Sequence, residues 1–129
     1  MSVRLFVYGT LKRSAPGRPH ALLRKARFVD TASVSGTMYD LGDYPGLRRD
    51  GSVGARVSGE LYELPDEISA DALRALDRYE GSEFDRQRVW TTMRGGTRRL
   101  AWAYVLRRRP PKSARQIESG RYARKRGAA

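Results

Sequence analysis

The stretch Val53-Gly54-Ala55-Arg56-Val57-Ser58-Gly59-Glu60-Leu61-Tyr62-Glu63-Leu64 decides how this chain folds. Its later half alternates, with Val57, Leu61 and Tyr62 bracketing small and polar residues, as a half-buried strand does. Glycine weakens a strand unless the backbone must bend or approach another segment closely, so Gly54 and Gly59 point to a sheet curving into a barrel. Towards the C-terminus, Pro65-Asp66-Glu67-Ile68-Ser69 leads into a helix. Ser69 is read as its cap and Asp71 as its first-turn acid, with Ile68, Ala72, Leu73, Leu76 and Tyr79 as an apolar stripe and Gly81 as its stop. Residues 86–93 and 98–106 follow as two strands joined by Gly95-Gly96, a hairpin signal, and Pro110-Pro111 is expected to close the ordered core.

Towards the N-terminus the pattern is again β. Residues 3–8 read as a strand rich in β-branched and aromatic side chains that stops at Gly9-Thr10-Leu11-Lys12. A short helix is expected over 19–25, with Pro19 in its first turn. Residues 28–34 form a second strand, which 37–41 would continue past a bulge at Gly36. Tyr44-Pro45-Gly46 and Asp50-Gly51 are turn signals. There is no linker and no internal repeat. The expected fold is α+β: a small mixed β-barrel flanked by one or two short helices, one domain over 1–106, with 107–129 a basic C-terminal segment.

Composition narrows the chemistry. The chain has 129 residues, 26 Lys+Arg against 14 Asp+Glu, one His and no Cys. That is room for one domain. Without Cys there is no disulfide scaffold, no thiolate metal site and no thiol catalysis. A single His, His20, cannot build a His-rich metal centre, would serve a Ser-His-Asp relay alone, and reads as solvated. Asp40 and Asp43 lack a third oxygen cluster, so no metal is expected. No stretch approaches the roughly 20 apolar residues of a membrane span, and the N-terminus lacks a signal peptide's apolar segment, so a soluble cytoplasmic protein without membrane contact is expected. The net charge of +12 is uneven. Residues 107–129 carry nine basic side chains against Glu118, a charge of +8, which leaves +4 for the body. Such a tail attracts polyanions non-specifically through counterion release, or is simply a solvated end, and it lacks the interleaved aromatics of a single-strand binder. Trp90 and Trp102, in adjacent strands, read as core or barrel wall, with one of them a candidate to line a pocket; Tyr39, Tyr62 and Tyr104 would wall a cavity or simply pack.

Two local features carry candidate chemistry. Glu80 ends the helix beside Leu76 and Tyr79, against the negative end of the macrodipole. If partly buried, its carboxyl is pushed towards the range useful for proton transfer; the plainer reading is an exposed last-turn glutamate paired with Arg78 or Arg86. The Tyr8-Gly9-Thr10-Leu11 turn could present successive backbone N–H groups to an anion, with Gly9 supplying a conformation that other residues reach at a cost, or it could be an ordinary strand end.

Both features fall within an ordered set of motifs: Tyr8-Gly9-Thr10-Leu11, Gly36-x-Met38-Tyr39-x-Leu41, Tyr44-Pro45-Gly46-Leu47, Gly59-Glu60-Leu61-Tyr62, Leu76-Asp77-x-Tyr79-Glu80-Gly81 and Ala101-Trp102-x-Tyr104. The set resembles the gamma-glutamylcyclotransferase-like family, also called the avirulence-induced-gene type, over about residues 3–106. Ile117-x-Ser119-Gly120-Arg121-Tyr122 resembles its C-terminal segment. The resemblance implies a small β-barrel with the Tyr-Gly-x-Leu loop and an acidic residue lining one cavity. It further implies a cofactor-free enzyme that releases 5-oxoproline from a small gamma-glutamyl compound by attack of the α-amine on the side-chain carbonyl. Glu80 would be the catalytic general base and acid, and Tyr8, Gly9, Thr10 and Leu11 would bind substrate. Among gamma-glutamyl amino acids, glutathione, gamma-glutamyl-lysine isopeptides and larger gamma-glutamyl intermediates the residues do not choose. One departure stands out: where the family commonly has Tyr after Glu-Gly, and Arg two positions on, this chain has Phe84 and Arg86. Two other classes compete, a non-catalytic small-molecule binding module on the same fold and a nucleic-acid binder acting through its tail.

Overall fold

The structure is a computed structural model that describes residues 3–9, 25–49 and 54–122. Its elements are β1 (Val3–Val7), β2 (Arg27–Ser35), β3 (Thr37–Asp40), β4 (Pro45–Arg48), β5 (Arg56–Leu64), α1 (Asp66–Glu80), β6 (Phe84–Met93), β7 (Arg98–Leu106) and β8 (Arg115–Gln116). Five strands close into a barrel in the order β1-β5-β2-β6-β7. Four of the neighbouring pairs are antiparallel, and a parallel contact between β1 and β7, at Leu5 and Trp102, completes the ring. The expected α+β architecture is therefore the one observed, with α1 the single helix among the described residues.

β5 is the pivot, pairing with β1 on one side and β2 on the other. Gly59 shows why the stretch carries glycine: a Cβ there would sit 2.3 Å from the Val7 carbonyl oxygen and 2.8 Å from Phe6 Cζ. The curvature brings backbone against backbone. Gly59→Ala is expected to lower stability by roughly 1–3 kcal/mol, the usual cost of overpacking, because the nearest neighbour cannot rotate away. Urea unfolding checks this; a midpoint equal to wild type would show that the barrel can relax at that contact.

The two-residue strand period sorts the side chains into two layers. Phe6, Tyr8, Val34, Val57, Leu61, Val89, Ala101, Ala103 and Val105 share one buried cluster, which fills the barrel. Leu5, Val7, Tyr62, Phe84, Tyr104 and Leu106 alternate with them and form a second cluster with Leu76 of α1. The helix thus covers the outside of the barrel, and its last turn arrives beside the end of β1.

Several local expectations are corrected. The helix begins at Asp66 after Pro65, so Ser69 lies inside it, its hydroxyl donating to the Asp66 carbonyl at 3.1 Å. Asp66 and Glu67, not Asp71, supply the first-turn acids. Gly81 does end it, at φ 77°, donating its N–H to the Asp77 carbonyl at 3.0 Å. Residues 37–40 do not prolong β2: Gly36, at φ 156°, redirects the chain, and β3 joins a separate three-stranded sheet in the order β4-β3-β8. Pro45-Gly46, read as a turn, opens β4 on the edge of that sheet, where a residue without an N–H is tolerated. The ordered chain also continues past Pro110-Pro111. β8 pairs with β3, the Ile117 N–H bonds the Met38 carbonyl at 2.7 Å, and Ile117 and Tyr122 rest on the barrel cluster. The expected helix over 19–25 falls almost wholly outside the described residues.

Candidate functional site

The end of β1, the last turn of α1, the start of β4 and the outer face of β7 converge on one narrow cavity of about 30 Å³. Tyr8, Gly9, Tyr44, Pro45, Glu80 and Tyr104 line it beside the strand end Phe6–Val7. A water needs roughly 10–15 Å³ of such space, so the cavity holds one small polar group, and anything larger extends outward. The structure therefore brings Tyr8, Gly9 and Glu80 together as expected. Thr10, Leu11 and His20 lie outside the described residues.

Glu80 is the chemically unusual member. Burial pushes its carboxyl up to about 7. Its plainer reading, an ion pair with Arg78 or Arg86, does not hold. Arg86 is committed to Asp77, with Nε 2.9 Å from Oδ1 and Nη2 3.4 Å from Oδ2. Among the described residues the Glu80 carboxyl has no hydrogen-bond or ion-pair partner, although its charge is felt by Tyr8, Tyr44 and Tyr104. A desolvated carboxyl without a partner is costly, and such groups concentrate at functional sites.

The surrounding groups are engaged. Tyr8 is buried; its hydroxyl donates to the Tyr104 carbonyl at 2.7 Å and accepts the Leu47 N–H at 3.0 Å, tying β1 to β7 and β4. Burial, then the nearby Glu80 charge, holds that phenol far above the ordinary tyrosine range, so it stays neutral. Tyr8→Phe leaves the buried Leu47 N–H without its acceptor and is expected to cost about 1–3 kcal/mol. The change is to be read in urea denaturation, where an unchanged midpoint would mean that another acceptor replaces the phenol. The Tyr104 hydroxyl donates to Asp77 Oδ1 at 2.6 Å. Burial alone would raise the Asp77 carboxyl, yet hydrogen bonds from Tyr104 and Arg86 hold it below the usual carboxylate range. Tyr44 donates to Glu83, and that bond, with burial, pushes its phenol up to about 12.

Gly9 is not a positive-φ glycine. Its small size is needed for another reason, since a Cβ would lie 2.8 Å from Pro45 Cγ. Phe84 is buried in the layer under α1, its ring centroid 6.1 Å from that of Tyr44. The expectation that both tryptophans are core or wall is half corrected. Trp102 is partly buried beneath Arg86 and Arg88, 4.5 and 5.0 Å from the ring centre, whereas Trp90 is 53% exposed. Tyr62 bonds Glu60 and does not reach the cavity. Tyr44 and Asp77 were not singled out as site residues from sequence. Asp77 precedes Glu80 by three residues on a helix, which places the two on one face, and that spacing was a usable signal.

The chain belongs to the gamma-glutamyl cyclotransferase, AIG2-like family, whose family model matches residues 5–124. It is 33% identical over 123 residues to a Drosophila melanogaster protein named "Putative gamma-glutamylcyclotransferase", covering 87% of this chain and 74% of that one. The crystal structure of an AIG2-like protein from Mus musculus superposes with a TM-score of 0.70 at 26% identity, covering 86% of this chain and 81% of the other. The same fold occurs within Kluyveromyces lactis allophanate hydrolase, at TM-score 0.68 and 19% identity, over 92% of this chain but 20% of that one. No helix among the described residues is long and apolar enough to cross a membrane.

Proposed function

We propose that the protein releases 5-oxoproline from a gamma-glutamyl amine or peptide, with Glu80 as general base and then general acid. The observation that carries this reading is the desolvated Glu80 carboxyl, without a partner among the described residues, on the same cavity as the Tyr8-Gly9 strand end. The nucleophile belongs to the substrate, so neither Ser, Cys nor His is required. A substrate α-amine has a pKa near 8 in simple models and arrives mostly protonated. Glu80 takes that proton so that the neutral amine can attack the side-chain carbonyl; as the carbon–nitrogen bond breaks, it gives the proton to the leaving nitrogen and takes the second proton from the attacking nitrogen, which ends as the ring N–H. Backbone N–H groups of the Tyr8–Leu11 segment are the donors for the developing oxyanion and the substrate carboxylate. Tyr8 braces this segment through its hydroxyl, whose two bonds are internal and tie β1 to β7 and β4. Holding the glutamyl chain folded supplies the proximity that an intramolecular attack needs.

The test is 5-oxoproline release from gamma-glutamyl amino acids, glutathione and gamma-glutamyl-lysine, with wild type and Glu80→Gln side by side. Release by wild type and its loss in the variant is the expected result. Release that survives in Glu80→Gln would move the acid–base role to another group. Saturable binding of these compounds by wild type without turnover would instead identify a binding module.

A further inference from the structure

Trp90 lies on the outer face of β6, open to solvent and unused by the Glu80 cavity. Beside it is a second, larger cleft of about 310 Å³, floored by Val34 and Val89 and walled by Ser35, Arg49, Arg56, Trp90, Thr92 and Arg98. Among the described residues its three arginines have no counter-charge. Arg56 is fixed by neutral partners: Nε to Ser33 Oγ at 2.8 Å, Nη1 to Ser35 Oγ at 3.0 Å, and Nη2 to the Ser33 carbonyl and Thr92 Oγ1 at 3.0 and 3.2 Å. Arg49 donates to Gln87 Oε1 at 3.3 Å. Arg98 stands 5.0 Å from the Trp90 ring centre. Among the described residues none of the three meets a carboxylate, whereas Arg27, Arg74, Arg86 and Arg107 each have one.

We propose that this cleft seats a nucleotide of single-stranded nucleic acid, its base stacked on Trp90 and its phosphate held by Arg49 and Arg56. The argument is one of complementarity. Arg56, held in place by its four bonds, keeps its charge and one Nη1 N–H for a phosphate oxygen, and the exposed Arg49 adds a second cation with donors to spare. An exposed indole flanked by cations suits the face of a base, which a single strand offers and a duplex conceals. The site is independent of the cyclotransferase reading, and it is not the basic tail.

The probe is a short fluorescein-labelled oligothymidylate, followed by anisotropy with the 129-residue chain. Trp90→Ala is expected to weaken binding by roughly 5- to 160-fold, the span that loss of one base–aromatic stack produces, and Trp90→Phe to retain most of the affinity. Arg49→Gln is expected to reduce the log–log salt slope by about 0.7, one single-strand phosphate contact. In Trp102→Phe, where Trp90 is the sole indole, the oligonucleotide quenches its emission. Arg124→Gln, Lys125→Gln and Arg126→Gln together lower affinity at low salt but leave the Trp90 dependence intact. Binding that ignores Trp90→Ala and disappears with the tail substitutions would overturn the proposal in favour of a charge-only contact. Inorganic polyphosphate competing at equal charge without quenching Trp90 would do the same. Thymidine monophosphate saturating the quench more tightly than the oligonucleotide would also overturn it, assigning the cleft to a free nucleotide.

Discussion

Glu80→Gln is expected to lower kcat for 5-oxoproline release by roughly 10²- to 10⁴-fold, the range a positioned acid–base group supplies. Glutamine keeps the shape of the side chain and still lines the cavity, so KM should change far less than kcat. The wild-type pH profile provides the sharper test. Substrate amine and Glu80 must together hold one proton, because it leaves the amine, resides on the carboxyl and returns to the leaving group. With the Glu80 carboxyl pushed up to about 7, both groups are protonated below that value and the amine cannot attack. Above the amine's pKa, near 8, both are deprotonated and the leaving group receives no proton. The profile of kcat/KM is therefore a narrow bell, rising through about 7 and falling through about 8. An ascending limb near the ordinary glutamate value, around 4.3, would mean that Glu80 is not desolvated in solution, and the mechanism would lose its base.

How much of this was legible in the sequence depends on which physical term fixes each residue. The barrel could be read because Gly59 in a strand and the Gly95-Gly96 hairpin are local signals of backbone geometry. The structure places Gly59 against the Val7 carbonyl as that reading requires. The helix start is misread because Ser69 is a good cap in isolation, whereas the helix starts four residues earlier, after Pro65, with no side-chain cap and with Asp66 and Glu67 at the positive end of its dipole. Pro45 looked like a turn because its missing N–H disqualifies it only from interior strands, and nothing local says that β4 is an edge. At the site, Glu80 and Tyr8-Gly9 could be named, yet the state of Glu80 could not. Its burial without a partner among the described residues depends on Arg86 choosing Asp77 instead, a choice set where β6 passes the last turn of α1. The role of Tyr8 as a strut between three strands is likewise invisible until β4 and β7 are in place.

The same desolvation that suits Glu80 to proton transfer should appear as a stability deficit, and Glu80→Gln should recover it. A carboxyl at about 7 in the folded chain, against 4.5 for an unperturbed glutamate, binds its proton more tightly folded than unfolded. Its contribution is fully present below about 4.5 and is lost as pH rises through about 7, because folding then buries a charge that water would otherwise solvate. At about 1.4 kcal/mol per pKa unit, the lost contribution is on the order of 3 kcal/mol at pH 8. Glutamine carries no charge but still buries an amide, so the gain expected for Glu80→Gln at pH 8 is between about 1 and 3 kcal/mol, shrinking towards zero or reversing near pH 4. Asp77 works in the opposite sense, since its carboxyl is held low and its contribution is lost as pH falls. The Glu80 effect must therefore be taken as the difference between variant and wild type at each pH, from urea unfolding, rather than from the wild-type curve alone. A difference that does not vary with pH would place the carboxyl in water in the folded state, contradicting the burial from which its catalytic role is argued. A difference that opens between pH 4 and 8, together with loss of turnover in the same variant, would show stability given up at one side chain in exchange for a base poised near neutral pH.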